Sequence, residues 1–138
     1  LLITSTERDF IFLEDNINSA IDNTSEFGDL IMKSLLSKKE VIEEDEYEAD
    51  YRRVLNYGHT LGHAVESLSN YSIPHGVGVL WGMDIMNFIA LKRGFMSVDL
   101  YERINNLIMK IYDISVIKVE SYTKLLDFVK NDKKIGVL

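Results

Sequence analysis

The sequence predicts an all-α, mainly helical protein. Apolar residues recur at three- and four-residue spacing in most segments of the 138-residue chain, which is the period of a helix that packs along one face. A content of 46% hydrophobic and 27% charged residues is typical of a folded globular protein with a core of its own. The chain has one proline and no Gly/Ser-rich linker or repeat, so we expect residues 1–138 to form a single helical domain.

The first two helices are predicted from this spacing. The first carries Phe10, Leu13, Ile17, Ala20 and Ile21, and the second, after the turn-like DNTS at residues 22–25, carries Phe27, Leu30, Ile31 and Leu35. Both helices are expected to be amphipathic. Lys38 continues the stripe of the second helix, which predicts a position near its buried side, although a lysine there usually extends its ammonium outward.

The stretch RRVLNYGHTLGHAVE, residues 52–66, predicts one helix with two faces. One face is an apolar stripe of Val54, Gly58, Leu61, Val65 and Leu68, and the opposite face carries Arg52, Asn56, His59, His63 and Glu66. Glycine inside a helix costs about 1 kcal/mol relative to alanine. A closely approaching helix would explain that cost for Gly58, whereas the sequence gives no such reason for Gly62.

The remaining helices follow in order. Residues 77–94, VGVLWGMDIMNFIALKRG, are apolar nearly all round and predict a buried central helix that ends at a capping Gly94. Ser97 is expected to cap a helix that carries Leu100, Ile104, Leu107, Ile108 and Ile111. An extended ISVIKV at residues 114–119 and a last helix with Tyr122, Leu125, Leu126 and Val129 complete the chain.

The composition argues against several classes of protein. A net charge of −7 disfavours a nucleic-acid surface, which needs clustered Lys and Arg. No apolar run approaches the roughly 20 residues of a membrane span, and the start resembles no signal peptide. The chain has no cysteine, so any metal must be bound by histidine and carboxylate, and a cytoplasmic protein is expected. The acidic run at residues 40–50 is interpreted as a solvated helix end and loop.

The three histidines of the chain fall at positions 59, 63 and 75. His59 and His63 are one helical turn apart, a spacing suited to joint contact with a metal or an anion. His75 follows the only proline and precedes a helix, whose free N–H groups favour a bound anion. From spacing alone, surface polar residues and a turn residue explain the pattern equally well. The H-E-x-x-H metalloprotease motif is absent, because Thr60 follows His59.

Two stretches, DEYEADYRRVLNYGHTLGHAVE at residues 45–66 and HGVGVLWGM at residues 75–83, resemble the 3-dehydroquinate synthase family. The family pattern is a lysine, then D-E-x-E, then R-x-x-x-N-x-G-H-T-x-G-H-A-x-E, and then an H-G that opens the next helix. Lys38, residues 45–48, residues 52–66 and His75-Gly76 match it here. NDKK at residues 131–134 is similar to the D-K-K of the family, so the resemblance runs from the first helix to residue 134.

The resemblance implies the helical C-terminal domain of an enzyme whose architecture is like that of glycerol dehydrogenase. An N-terminal NAD-binding α/β domain would precede it, with the active site between the two domains. That domain, and the glutamate that completes the metal site, are expected outside this chain. The resemblance implies a homodimer for the full-length protein. Residues 1–138 alone are expected to be inactive, to bind zinc weakly and not to bind NAD.

By resemblance, His59 and His75 are two ligands of a catalytic zinc or another divalent metal. Two histidines with a carboxylate and an open position are typical of catalytic zinc. His63 resembles a substrate or phosphate contact that also transfers protons. The missing third ligand leaves Glu66 as the alternative carboxylate within the chain.

The resemblance also assigns an anion pocket for a small-molecule substrate. Lys38, Arg52 and Asn56 resemble substrate-binding residues of the catalytic site, because their cations suit carboxylate and phosphate and the amide bonds hydroxyls. Either Lys133 or Lys134 would complete this pocket. A few converging cations suffice for such a ligand in an acidic protein.

The reaction that the resemblance implies is the cyclisation of a seven-carbon sugar-acid phosphate to dehydroquinate, with loss of phosphate, in the shikimate pathway. NAD supplies the hydride chemistry. Val77 stands where the family has Glu, and Ala49 and Asp50 also depart from its pattern. A related cyclase such as a 2-deoxy-scyllo-inosose synthase, or a non-enzymatic helical module, are the alternatives. The retained Lys38, Arg52 and D-E-x-E favour dehydroquinate synthase.

Overall fold

The computed structural model describes residues 2–22, 24–47, 49–114 and 122–131, and Lys133 and Lys134 lie outside them. These residues contain six α-helices and no strand, which confirms the all-α prediction. The helices are α1 (Glu7–Asp22), α2 (Thr24–Glu44), α3 (His59–Leu68), α4 (His75–Lys92), α5 (Val98–Ile111) and α6 (Tyr122–Asn131). Short 3-10 helices span Leu2–Thr4 and Tyr51–Asn56. None of the helices described is both long and apolar enough to cross a membrane.

The chain divides into two compact units, Leu1–Asn56 and Tyr57–Leu138. The first holds α1, α2 and both 3-10 helices, and the second holds α3 to α6. That residues 1–138 form one domain stays a prediction.

Helix α2 buries a different face from the one predicted. Its buried residues include Leu30, Ser37 and Val41, whereas Phe27, Ile31 and Leu35 are 51%, 46% and 57% exposed. Adjacent residues on a helix point about 100° apart. Phe27, Ile31 and Leu35 therefore lie on a face next to the one that packs against α1. The predicted burial is therefore confirmed for Leu30 and wrong for Phe27, Ile31 and Leu35, and Lys38 is exposed with these three.

An ion pair with a buried carboxylate connects α1 and α2. Asp9 is buried, and its Oδ1 lies 2.6 Å from Lys33 Nζ. Ser5 donates to Asp9 Oδ2 at 2.6 Å, and Ser37 donates to the same oxygen at 3.4 Å. The hydrogen bond from Lys33, followed by the one from Ser5, holds the pKa of Asp9 well below its usual range, and burial opposes them. The carboxylate is therefore charged whenever the protein is folded near neutral pH.

Replacing Asp9 with asparagine is expected to lower the free energy of unfolding at pH 7 by about 2 kcal/mol, the size of a hydrogen bond to a charged group. A pKa that is lower in the folded state gives stabilisation that is present above the ordinary value of 3.8 and is lost as the pH falls toward the folded value. In urea unfolding, the difference in free energy of unfolding between wild type and variant should therefore be smaller at pH 2 than at pH 7. Asp15→Asn, an exposed site on the same helix, is the control. Equal losses in the two variants would contradict the buried pair.

The second unit is built around a hairpin of α3 and α4, with α6 packed against α3 and α5 against α4. Its core contains Ala64, Val65, Trp81, Met83, Ile104, Leu107, Ile108 and Leu125. Two predicted helix ends are confirmed. Ser97 Oγ accepts from Leu100 N at 3.2 Å, and Gly94 has φ 77° just after α4.

Helix α4 is not buried all round as predicted. Trp81, Met83 and Asn87 are buried, but Met86, Phe88 and Ile89 are exposed. Among the residues described, α3 and α5 are the helices with extensive contacts to α4. Two neighbouring helices leave part of the surface of a third helix uncovered. The apolar sequence of α4 was therefore not sufficient to predict that the whole helix is buried.

Residues 52–66 do not form the single helix that was predicted. A 3-10 helix ends at Asn56, and α3 begins at His59. Between them Gly58 has φ 77°, in the left-handed region, which favours glycine because it has no Cβ. Arg52 and Asn56 are therefore not on the same helix as His59, and the predicted polar stripe is interrupted.

Four glycines, Gly58, Gly62, Gly78 and Gly82, form what we term the glycine seam between α3 and α4. A Cβ on Gly62 would lie 3.0 Å from the carbonyl carbon of Gly78, and one on Gly82 would lie 2.9 Å from Gly62 N. The two backbones therefore meet directly, which supplies the reason for Gly62 that the sequence did not reveal.

Candidate active site

The three histidines lie together at one place on the second unit. The ring centroids of His59 and His75 are 5.4 Å apart, those of His63 and His75 are 5.5 Å apart, and those of His59 and His63 are 5.7 Å apart. His59 opens α3, His63 lies one turn later, and His75 opens α4. The structure thus brings together the two histidines that the resemblance places on one metal, with His63 beside them, while the role of each stays a prediction.

His75 is held by a buried carboxylate. Glu66 is 8% exposed, and its Oε1 lies 2.8 Å from His75 Nδ1. The imidazole itself is exposed at its other edge, since the His75 side chain is 56% exposed. One ring nitrogen therefore contacts the protein interior, and Nε2 is left for a ligand.

His59 is oriented by its own backbone neighbour. Its Nδ1 lies 3.2 Å from the carbonyl oxygen of Tyr57, an acceptor that favours the proton on Nδ1. The Tyr57 hydroxyl donates to Oδ1 of Asn87, which is 1% exposed. Burial, and to a lesser extent Asp84, raise the pKa of Tyr57 to about 12, so this donor keeps its proton near neutral pH. Among the residues described, Asn87 Nδ2 has no hydrogen-bond partner.

These histidines fit a divalent metal as two nitrogen donors. In His59 and His75 the Nδ1 atoms face acceptors, an arrangement typical of histidines that bind a metal through Nε2. His63 and His75 are stacked, with an interplanar angle of 25°. The described part of the chain contains no group of three or more His, Asp or Glu side chains that could hold a metal.

Three of the predicted substrate-binding residues, Lys38, Arg52 and Asn56, belong to the first unit. Arg52 donates from Nη1 to the carbonyl oxygen of Glu46 at 2.9 Å. The carboxylate of Asp45 accepts from the backbone N–H groups of Ala49, Asp50 and Arg52 at 2.8 to 2.9 Å. These three bonds, with the one from Arg52 largest, lower the pKa of Asp45. Asp45 thus fixes the loop that carries Arg52, a structural role for the D-E-x-E motif.

Lys38 is exposed and Asn56 is half-buried. Both lie with Arg52 in the first unit, while the three histidines lie in the second. Sequence reasoning missed Glu66 as the partner of His75, and it missed the pair formed by Tyr57 and Asn87. A sequence signal for Glu66 was present: Gly58, Gly62 and Glu66 are spaced four residues apart, so Glu66 lies on the same side of α3 as the glycine seam.

A sequence profile described as 3-dehydroquinate synthase C-terminal matches residues 2–135. Curated proteins named 3-dehydroquinate synthase are also similar. The one from Dictyoglomus turgidum is 35% identical over 127 residues, which are 91% of this chain and 36% of that relative. The one from Rippkaea orientalis is 37% identical over 123 residues, 88% of this chain and 33% of the relative. For Clostridium perfringens the identity is 36% over 114 residues, 82% of this chain and 33% of the relative. The chain thus spans about a third of the length of these relatives.

Proposed function

This chain belongs to the family of 3-dehydroquinate synthase C-terminal domains, and on that basis we propose that it is the helical part of an enzyme that cyclises a seven-carbon sugar-acid phosphate to 3-dehydroquinate. The observation that carries the proposal is the meeting of His59, His63 and His75 within 5.7 Å of one another. In this proposal the NAD-binding domain and the third metal ligand lie outside these 138 residues. The resemblance further implies a cytoplasmic homodimer.

The three histidines would divide two tasks between them. His59 and His75 would hold a zinc or other divalent ion through Nε2, because their Nδ1 atoms already face acceptors. When bound, such an ion polarises a substrate oxygen and orients neighbouring hydroxyls. His63 is exposed, so a proton can pass between its ring and a substrate or phosphate oxygen.

The cationic residues of the first unit would bind the anionic groups of the substrate. The Lys38 ammonium is a mobile point charge, whereas the Arg52 guanidinium is a planar fork that suits carboxylate or phosphate. The hydrogen bond from Arg52 to Glu46 and the loop built on Asp45 hold that fork in place. Asn56 would bond substrate hydroxyls through its amide.

The test is an assay of the full-length protein for release of inorganic phosphate from the seven-carbon substrate, with NAD and zinc supplied. We expect turnover that depends on both and that a metal chelator stops. Turnover of another sugar phosphate in place of this one would identify a related cyclase. Absence of turnover with either class of substrate would favour the non-enzymatic module.

Two neighbouring lysines allow a matched test of the anion pocket. Lys38→Ala is expected to raise the KM for the substrate about 10- to 100-fold, because it removes a charge-assisted hydrogen bond. Lys39→Ala should leave KM unchanged, since Lys39 pairs at 3.6 Å with Glu43 on the surface, where such pairs contribute little. Equal KM values for the two variants would show that Lys38 does not bind the substrate.

A further inference from the structure

Glu66 is a charged side chain in a position where charge is costly. It is 8% exposed, and a buried carboxylate is retained only when it is paired or hydrogen-bonded. The contact that the structure gives this carboxylate is the one to His75 Nδ1, at 2.8 Å. The contact that compensates the burial of Glu66 is therefore the one to His75, which is one of the two proposed metal ligands.

The backbone of Glu66 is fixed as firmly as its side chain. Its carbonyl oxygen accepts from Tyr71 N at 2.7 Å and from Ser69 Oγ at 2.8 Å. Tyr71 has φ 59° and Asn70 has φ 51°, a left-handed pair that is unfavourable for a bulky residue. The turn between α3 and α4 thus closes onto Glu66, and the same residue contacts the start of α4 through its side chain.

Gly78 provides the space for the carboxylate. A Cβ at position 78 would lie 3.1 Å from Glu66 Oε1 and 3.2 Å from Glu66 Cγ. This is tighter than ordinary van der Waals contact, and the added Cβ would also lie 3.2 Å from the backbone oxygen of Gly62, so a side chain at position 78 would require the carboxylate or the α3 backbone to shift slightly. The glycine seam therefore allows Glu66 to reach His75 between two backbones in contact.

We propose that Glu66 is a positioning residue whose carboxylate fixes the proton of His75 on Nδ1, so that Nε2 presents its lone pair to a divalent cation. The inference deepens the proposed function and rests on its metal site. A carboxylate that accepts from the non-ligating nitrogen both orients the ring and makes the other nitrogen a stronger donor. In this arrangement Glu66 lies behind the imidazole and is not the third ligand.

The experiment measures the affinity of the purified full-length protein for zinc alone, by calorimetric titration. Glu66→Ala is expected to lower that affinity about 10- to 100-fold. Glu66→Gln, which keeps an acceptor oxygen, should recover part of the loss. Asp84→Asn is the control, because it removes a carboxylate of the same unit that accepts from Asn105 at 2.8 Å, and its zinc affinity should equal that of wild type. Circular dichroism verifies that each variant is folded.

Absorption spectra of the cobalt-substituted proteins distinguish positioning from direct ligation. We expect the same coordination number in Glu66→Ala as in wild type. Loss of a ligand in that spectrum, or a zinc affinity equal to that of wild type, would overturn the positioning role while leaving the proposed function intact. A wild-type protein that binds no divalent metal would overturn the metal site of the proposed function and this inference with it.

If Glu66→Ala fails to fold, Gly78→Ala provides a second route to the same question. It leaves the carboxylate present but crowds Oε1, the oxygen that contacts His75. We expect its zinc affinity to fall in the same direction. Wild-type affinity in a folded Gly78→Ala protein would contradict the inference.

Discussion

Gly82→Ala is expected to destabilise the second unit by about 3 kcal/mol or more, at or above the upper end of the usual range for overpacking. The new Cβ would lie 2.9 Å from Gly62 N and 3.0 Å from the carbonyl carbon of Gly58, and closer still to the Gly58 oxygen. These are backbone atoms, so no side chain can rotate away to relieve the clash. The gain of about 1 kcal/mol in helix propensity from alanine does not offset it.

Gly76→Ala is the matched control for this prediction, because it makes the same substitution on the same helix, where the added Cβ would meet no atom from another part of the described structure within 4 Å. Thermal unfolding followed by circular dichroism should give a much lower midpoint for Gly82→Ala than for Gly76→Ala. Similar midpoints would mean that α3 and α4 do not cross with their backbones in contact.

His59→Ala and His63→Ala are expected to separate metal binding from proton transfer. His59→Ala removes a proposed ligand, so it should lower the zinc affinity of the full-length protein by more than the roughly 10- to 100-fold typical of losing a residue that only orients a ligand, and turnover should fall to background. His63→Ala should keep the zinc affinity of wild type, while kcat falls about 10²- to 10⁴-fold through loss of general acid–base catalysis.

The pair is informative because both residues lie on α3, one turn apart, and their rings are 5.7 Å from each other. Zinc titration and steady-state kinetics on the same preparations decide between the roles. Loss of zinc binding in both variants would make His63 a third ligand. Unchanged zinc binding in His59→Ala would show that His59 is not a metal ligand.

Local features of the fold could be predicted from the sequence. The cap at Ser97 and the left-handed Gly94 depend on a few consecutive residues, and the spacing of Ile104, Leu107 and Ile108 sets the buried face of α5. Each of these follows from the period and the termini of one helix. No distant contact was needed to predict them.

The choice of face on α2 depends on where the neighbouring helix lies, and the sequence does not contain that information directly. Leu30 and Ile31 are adjacent and similar in hydrophobicity, yet Leu30 is buried and Ile31 is 46% exposed. The buried Ser37, which donates to Asp9, was a polar residue in a core position. Apolar periodicity therefore predicted the wrong stripe.

The candidate site was partly predictable for a related reason. His59 and His63 are close in sequence, so their proximity follows from helical spacing, and the G-H-T-x-G-H and H-G motifs brought in His75. The contact of Glu66 with His75 depends on how α3 and α4 are aligned. That alignment is set by the glycine seam. The role of its four glycines can be understood only when the packing of α3 against α4 is known.

The turn between α3 and α4 has a consequence for how the protein folds. Every histidine, together with Glu66, lies between residues 59 and 75 on two helices joined by residues 69–74. Closing so short a loop costs little chain entropy, and contacts between near neighbours in sequence form quickly. We therefore expect the ligand geometry to be established early in folding, before α5 and α6 have packed. A nascent chain would then hold the histidine cluster before its own synthesis is complete.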